Sequence, residues 1–160
     1  MRGVVDRDRG YKRIMQQALG VEQLECTVGV QGADALEDHG GISNVVLAGV
    51  HEFGAEIDTG NGIVSIPERS FIRSTVDEND GYRSMLRTLG EKVLVGKLTV
   101  HKALGLLGEK VTSDIKSRIE AGIDPPLAAS TIRRKGSSKP LIDSGQLKSA
   151  ITSEVRRAGT

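Results

Sequence analysis

The sequence predicts an α+β fold: a small antiparallel sheet with a long hairpin, packed against two long helices, with an extended arm and loops. Three observations carry this expectation. Leu24, Cys26, Val28 and Val30 alternate with Glu25, Thr27 and Gly29, the period of a half-buried strand. Asn61-Gly62 lies between apolar arms, and both residues tolerate the positive φ that a tight hairpin turn demands. From Tyr82 to Ile119 apolar residues recur every three or four positions, apart from one gap after Val93, which is the period of amphipathic helices. No repeat and no second composition boundary interrupts the 160 residues, so the chain reads as a single domain over 1–160.

Taken in order, residues 1–9 are charged and form a flexible N-terminal arm. Tyr11, Ile14, Met15, Ala18 and Leu19 then fall at helical spacing, with Gly20 suited to the stop. The strand at 24–30 follows, and 31–41 reads as a polar loop. The apolar stretch 42–53 fits a short helix or a second strand, with helix preferred. Residues 54–66 form a protruding hairpin that Pro67 ends. Two helices are expected next, at about 71–95 and 99–121, with a bend where Gly96 suits a helix end and Thr99 an N-cap. Gly90, Gly105 and Gly108 each cost about 1 kcal/mol relative to alanine inside a helix, which points to close packing or a hinge. Gly122 and Pro125-Pro126 end the helical region, and Arg133-Arg134-Lys135 with Lys139 mark a basic loop. Asp143 or Ser144 suits the cap of a short helix through Lys148, and Ile151 to Val155 alternates like a final strand.

Composition narrows the function. Tyr11, Phe53, Phe71 and Tyr82 are the only aromatics, so the stacking platforms of single-strand and RNA readers are missing. No apolar run approaches the roughly 18 residues of a membrane span. The charged start lacks the apolar stretch of a signal peptide, and synthesis in the cytoplasm is the expectation. Cys26 is the single cysteine, which excludes an intrachain disulfide and a thiolate zinc site.

The net charge of +1 conceals a strong asymmetry. Residues 1–13 carry five bases and two acids. From Ile14 to Glu68 there are nine acids and neither Lys nor Arg, whereas 69–160 hold 17 bases and ten acids. Such a split gives either complementary surfaces on neighbouring copies or an acidic sheet face near a basic helix of the same monomer.

Catalytic motifs fail on context. His51-Glu52 opens a zincin-like string, but position 55 is Ala where the second histidine would stand. His39, His51 and His101 have no ligand spacing. Asp58-Thr59-Gly60 matches the aspartic-protease tripeptide, yet Asn61-Gly62 makes it a hairpin tip, and that chemistry needs paired aspartates in a dry site. Ser144 lacks a nucleophile elbow, and no phosphate-cradling glycine motif occurs. The chain is therefore expected to be no enzyme, with no catalytic residue, cofactor or metal. The 133–139 loop offers at most a secondary phosphate contact.

Two strings are more specific. One is Val50-His51-Glu52-Phe53-Gly54-Ala55, followed by Ile66-Pro67-Glu68-Arg69-Ser70-Phe71-Ile72-Arg73. The other is Pro126-Leu127-Ala128-Ala129-Ser130-Thr131-Ile132-Arg133-Arg134-Lys135, followed by Lys139 to Ile151. In this order, with a long helical region between, the chain resembles the tail-completion and virion-morphogenesis proteins of tailed bacteriophages, from about residue 10 onward. Ile123-Asp124 replaces a frequent aromatic before the proline, and Ser144 stands where Thr is commoner.

That resemblance implies a small structural α+β subunit without reaction or cofactor. It would form a ring, hexameric by likeness, in the neck between head connector and tail. Its partners would be the head connector or adaptor and the tail terminator or tail tube proteins. Genomic DNA would pass through the lumen without sequence-specific binding, and no membrane is involved. The location would be the virion, and the host cytoplasm before assembly. A minor tail or baseplate protein, and less so a DNA-binding accessory protein, are the alternatives. The charged residues offered to neighbouring subunits or partners are Glu52, Glu56, Asp58, Arg69, Arg73, Arg133, Arg134 and Lys135, with the acids turned to a neighbour or to the lumen. His51, Glu52 and Phe53 are expected to hold the hairpin on the core, Pro67 and Phe71 the strand-to-helix junction, and Leu141, Ile142 and Leu147 the C-terminal segment.

Overall fold

The computed structural model describes residues 8, 10–21, 23–38, 41–60, 62–127, 131–133, 141 and 145–159. The expected arm at 1–7 and 9, Asn61, most of the basic loop, Ile142 and the capping candidates Asp143 and Ser144 lie outside the described residues.

The fold is α+β. Helix α1 (Tyr11–Val21) leads into strand β1 (Leu24–Val30) and a 3-10 turn (Ala33–Leu36) inside the expected loop. Helix α2 (Asn44–Phe53) follows, then the hairpin strands β2 (Ala55–Asp58) and β3 (Ile63–Ile66). Helices α3 (Arg73–Asp77), α4 (Gly81–Leu94) and α5 (Val100–Ala121) make up the helical region. A short helix α6 (Gln146–Ser149) precedes strand β4 (Ile151–Arg157).

β1 and β4 pair antiparallel along their full length, from Leu24 opposite Arg157 to Val30 opposite Ile151. This ribbon lies on α5, whose buried Val111, Ile115 and Ile119 form one core with Phe71, Tyr82, Leu141, Leu147 and Ile151. Gly108 is where helix and ribbon approach most closely: a Cβ there would stand 2.6 Å from Cys26 Sγ and 2.8 Å from Ser153 Cβ. Gly90 and Gly105 have no such neighbour, so close packing explains one of the three helical glycines. A second core cluster joins α4 to α5 through Leu89, Val93, Val100 and Ala103.

The bend between α4 and α5 forms as its residues predict. Gly96 adopts φ 76°, its N–H donates to the Val93 carbonyl, and the Lys97 N–H reaches back to Lys92, the double bond of a Schellman ending. The Thr99 side chain then accepts the Lys102 N–H at 3.2 Å and starts α5.

Three details differ from the sequence reading. The first long helix, expected over 71–95, is broken between Asp77 and Gly81. There the Asn79 side chain accepts the Gly81 N–H at 2.9 Å and donates to Asp114 at 3.3 Å, local bonding that competes with the helix ladder. The hairpin forms its own two-stranded sheet with four-residue arms, and among the described residues the sheet against the long helix consists of β1 and β4. The cap of α6 is Gly145 at φ 85°, with no side-chain capping bond.

Candidate functional site

The first of the two strings folds into a clamp around one carboxylate. Glu52, in the last turn of α2, is 6% exposed and accepts four bonds: from Ser70 Oγ at 2.7 Å and from the N–H groups of Phe71, Ile72 and Arg73 at 2.8, 3.0 and 2.9 Å. Phe71 and Ile72 lead into α3 and Arg73 is its first residue, so these N–H groups have no partner within the helix and the carboxylate satisfies them as a side chain supplied from another helix. Burial pushes the Glu52 carboxyl up, but the bonds from Ile72, Ser70, Arg73 and Phe71 outweigh it and hold the group below its ordinary range. All of its acceptor strength is spent on structure.

The rest of the string completes the clamp. The His51 carbonyl accepts the Arg69 N–H at 2.7 Å. Gly54, at φ 73°, lets the chain leave α2 where a Cβ would stand 3.0 Å from Glu68 N and Ile66 O. Arg69 is 4% exposed and donates through Nε to the Pro125 carbonyl at 2.8 Å and through an Nη to Pro126 at 3.2 Å. Burial lowers its guanidinium from the ordinary value. Arg69 thereby ties the first string to the proline that opens the second.

These positions correct part of the sequence reading. Glu52 and Arg69, expected at a subunit or partner interface, are buried in the clamp and unavailable to a neighbour. Arg73 is exposed and paired with Glu68. Glu56 and Asp58 are exposed on β2, where Asp58 accepts the Gly60 N–H at 2.8 Å and closes the turn. Arg133 is exposed in a helical segment, while Arg134 and Lys135 lie outside the described residues. Phe71, expected at the strand-to-helix junction, is fully buried in the core, where Leu141 and Leu147 also pack, but Phe53 is 70% exposed and does not hold the hairpin.

That exposure belongs to a pattern the sequence reading missed. On α2 the buried positions are Asn44, at 0%, Ala48 and Glu52, whereas Val45, Val46 and Phe53 face outward. The helix thus buries two polar residues while three large apolar ones face outward, although Ala48 and Leu47 still pack on the core. Beside it lies an open groove of about 380 Å³ whose apolar lining is Val30, Val45, Ala48, Gly49, Phe53 and Ile72. The hairpin continues the theme. Its register pairs Ala55 with Ile66 and Ile57 with Val64, and alternate positions share a face, so one face is wholly apolar. Helix α1 is likewise inverted: Tyr11, Ile14, Met15 and Leu19 are exposed, while Gln17 is half-buried and the Arg13 side chain packs on Gly96. The available signal was the Asn44–Ala48–Glu52 spacing, which puts two polar residues on a single helix face.

Among the described residues no group of His, Cys, Asp and Glu is arranged to hold a metal ion, and no helix is long and apolar enough to cross a membrane. The large apolar side chains left uncovered among the described residues include Tyr11 and Leu19 on α1, Val45, Val46 and Phe53 on α2, and Ile63 and Val64 on the hairpin. No family model, curated protein or solved structure matches this chain.

Proposed function

We propose that this chain is a structural virion subunit of a tailed bacteriophage, a tail-completion or neck protein that assembles as a ring joining tail to head connector. The observation that carries the reading is the inversion of α1 and α2, which leaves large apolar side chains of both helices in solvent on a chain that also has a well-made core. A subunit that works by contact with copies and partners has a use for such strips. The resemblance of the two strings adds the place: a ring, hexameric by likeness, between connector or adaptor and tail terminator or tube, with genomic DNA passing through the lumen. Within the first string Glu52 and Arg69 serve as scaffold, since they spend their polar atoms on backbone groups and on Ser70. That use suits a protein that makes and breaks no bond.

Imaging particles made without this chain tests the proposal. Filled heads separated from finished tails are expected, and normally joined virions would overturn the neck assignment.

A further inference from the structure

The two inverted helices differ in charge as well as position. Helix α1 carries Lys12 and Arg13 and no acid. The stretch from Gln31 to Glu68, which supplies α2 and the hairpin, has seven acids and neither Lys nor Arg. The bases near α2 are each engaged: Arg69 is buried on the proline carbonyls, Arg73 lines the groove and pairs with Glu68, and Lys148, on the α6 helix that packs on α2, pairs with Glu120. One apolar strip is therefore flanked by positive charge, and the apolar groove beside Val45 and Phe53 lies in negative surroundings.

From this we propose that α1 of one copy docks in the α2–α3 groove of the next copy. The inference rests on the reading that the chain works as one of a set of identical subunits. Tyr11, Ile14, Met15 and Leu19 follow the i, i+3, i+4, i+8 spacing by which an amphipathic helix enters a groove. The groove is open, and its apolar lining matches that stripe in kind. The 11-residue helix is about 16 Å long, short enough to lie along the ten-residue α2. Strip and groove are different surfaces of the same chain, so the contact is head-to-tail and closes into a ring when the rotation between copies permits. Opposite charge around the two surfaces sets the direction of the joint and disfavours groove against groove.

The test uses two full-length variants in sedimentation. Leu19→Glu spoils the strip and Val45→Glu spoils the groove lining. Both positions are exposed, so wild-type circular dichroism and thermal midpoints are expected. Each variant alone should associate at least tenfold more weakly than wild type. An equimolar mixture should form a one-to-one dimer and stop there, because each variant retains one working surface. Wild-type association should also weaken as salt rises. Variants that associate like wild type would overturn this joint and leave the ring reading standing. A mixture that remains monomeric while wild type assembles would do the same. Wild-type chain that stays monomeric at its highest soluble concentration would remove the joint and the self-assembly reading together.

Discussion

Glu52 and Glu56 are four residues apart and lead opposite lives. Glu52 is buried at the end of α2 with four donors on its carboxylate, while Glu56 is exposed on the hairpin that the clamp encloses. The contrast extends to the regions around them. The clamp fixes both feet of the hairpin, through the Arg69 N–H on the His51 carbonyl and the close approach at Gly54. Beyond those feet the strands bond to each other and stand in solvent. Stability is concentrated in the clamp and the α5 core, and the surfaces free for partners begin where the clamp ends.

The sharpest way to break that division is Glu52→Ala. Removing a buried acceptor strands three backbone donors and the Ser70 hydroxyl, and a loss of about 3–5 kcal/mol is expected in urea unfolding. Glu52→Gln, which keeps an acceptor oxygen, should lose less. The same carboxylate sets an acid limit. Because its folded value lies below the unfolded one, its contribution is complete above the ordinary carboxylate range and is lost as pH falls through the depressed value. Wild type should lose stability faster than Glu52→Gln over that window when unfolding is followed from pH 6 downward, roughly two units above the ordinary value.

Next in size is Gly108→Ala, whose new methyl meets Cys26 and Ser153 across the helix–ribbon contact. Overpacking of about 1–3 kcal/mol is expected in thermal unfolding. Gly54→Ala adds a side chain at φ 73° and ψ 167°, a region kept almost entirely to glycine, against backbone atoms of the hairpin foot, for about 1–3 kcal/mol. Ile63→Ser, on the exposed hairpin, should change stability by no more than about 0.5 kcal/mol. A larger loss at Ile63 than at Gly54 would erase the distinction between clamp and hairpin.

Much of the fold was legible where one local cause decides. The strand at 24–30, the Gly60 turn beside Asp58 and the Thr99 cap each act within a few residues, and the structure keeps all three, although every residue of that strand is half-buried and its burial does not alternate. The break at Glu78–Asp80 has a signal in the sequence, since no apolar residue stands between Val76 and Tyr82, and Asn79 bonds locally there. Burial of Glu52 and Arg69, by contrast, was hidden. Charged side chains read as surface, and only their partners, 18 to 57 residues away in sequence, reveal the opposite. The outward stripe of α1 was legible as periodicity, but periodicity does not say whether a stripe faces its own core or another molecule.

The pairing of β1 with β4 joins strands separated by more than a hundred residues, and Glu25 meets Arg156 across it at 2.8 Å. A ribosome must therefore release residue 157 before β1 finds its neighbour and before Ile151 covers Ile115 and Ile119. Chains stopped short of that point would leave β1 unpaired and Ile115 and Ile119 without Ile151. This face of the α5 core thus depends on contacts between residues 24–30 and 151–157, the two ends of a long stretch of chain.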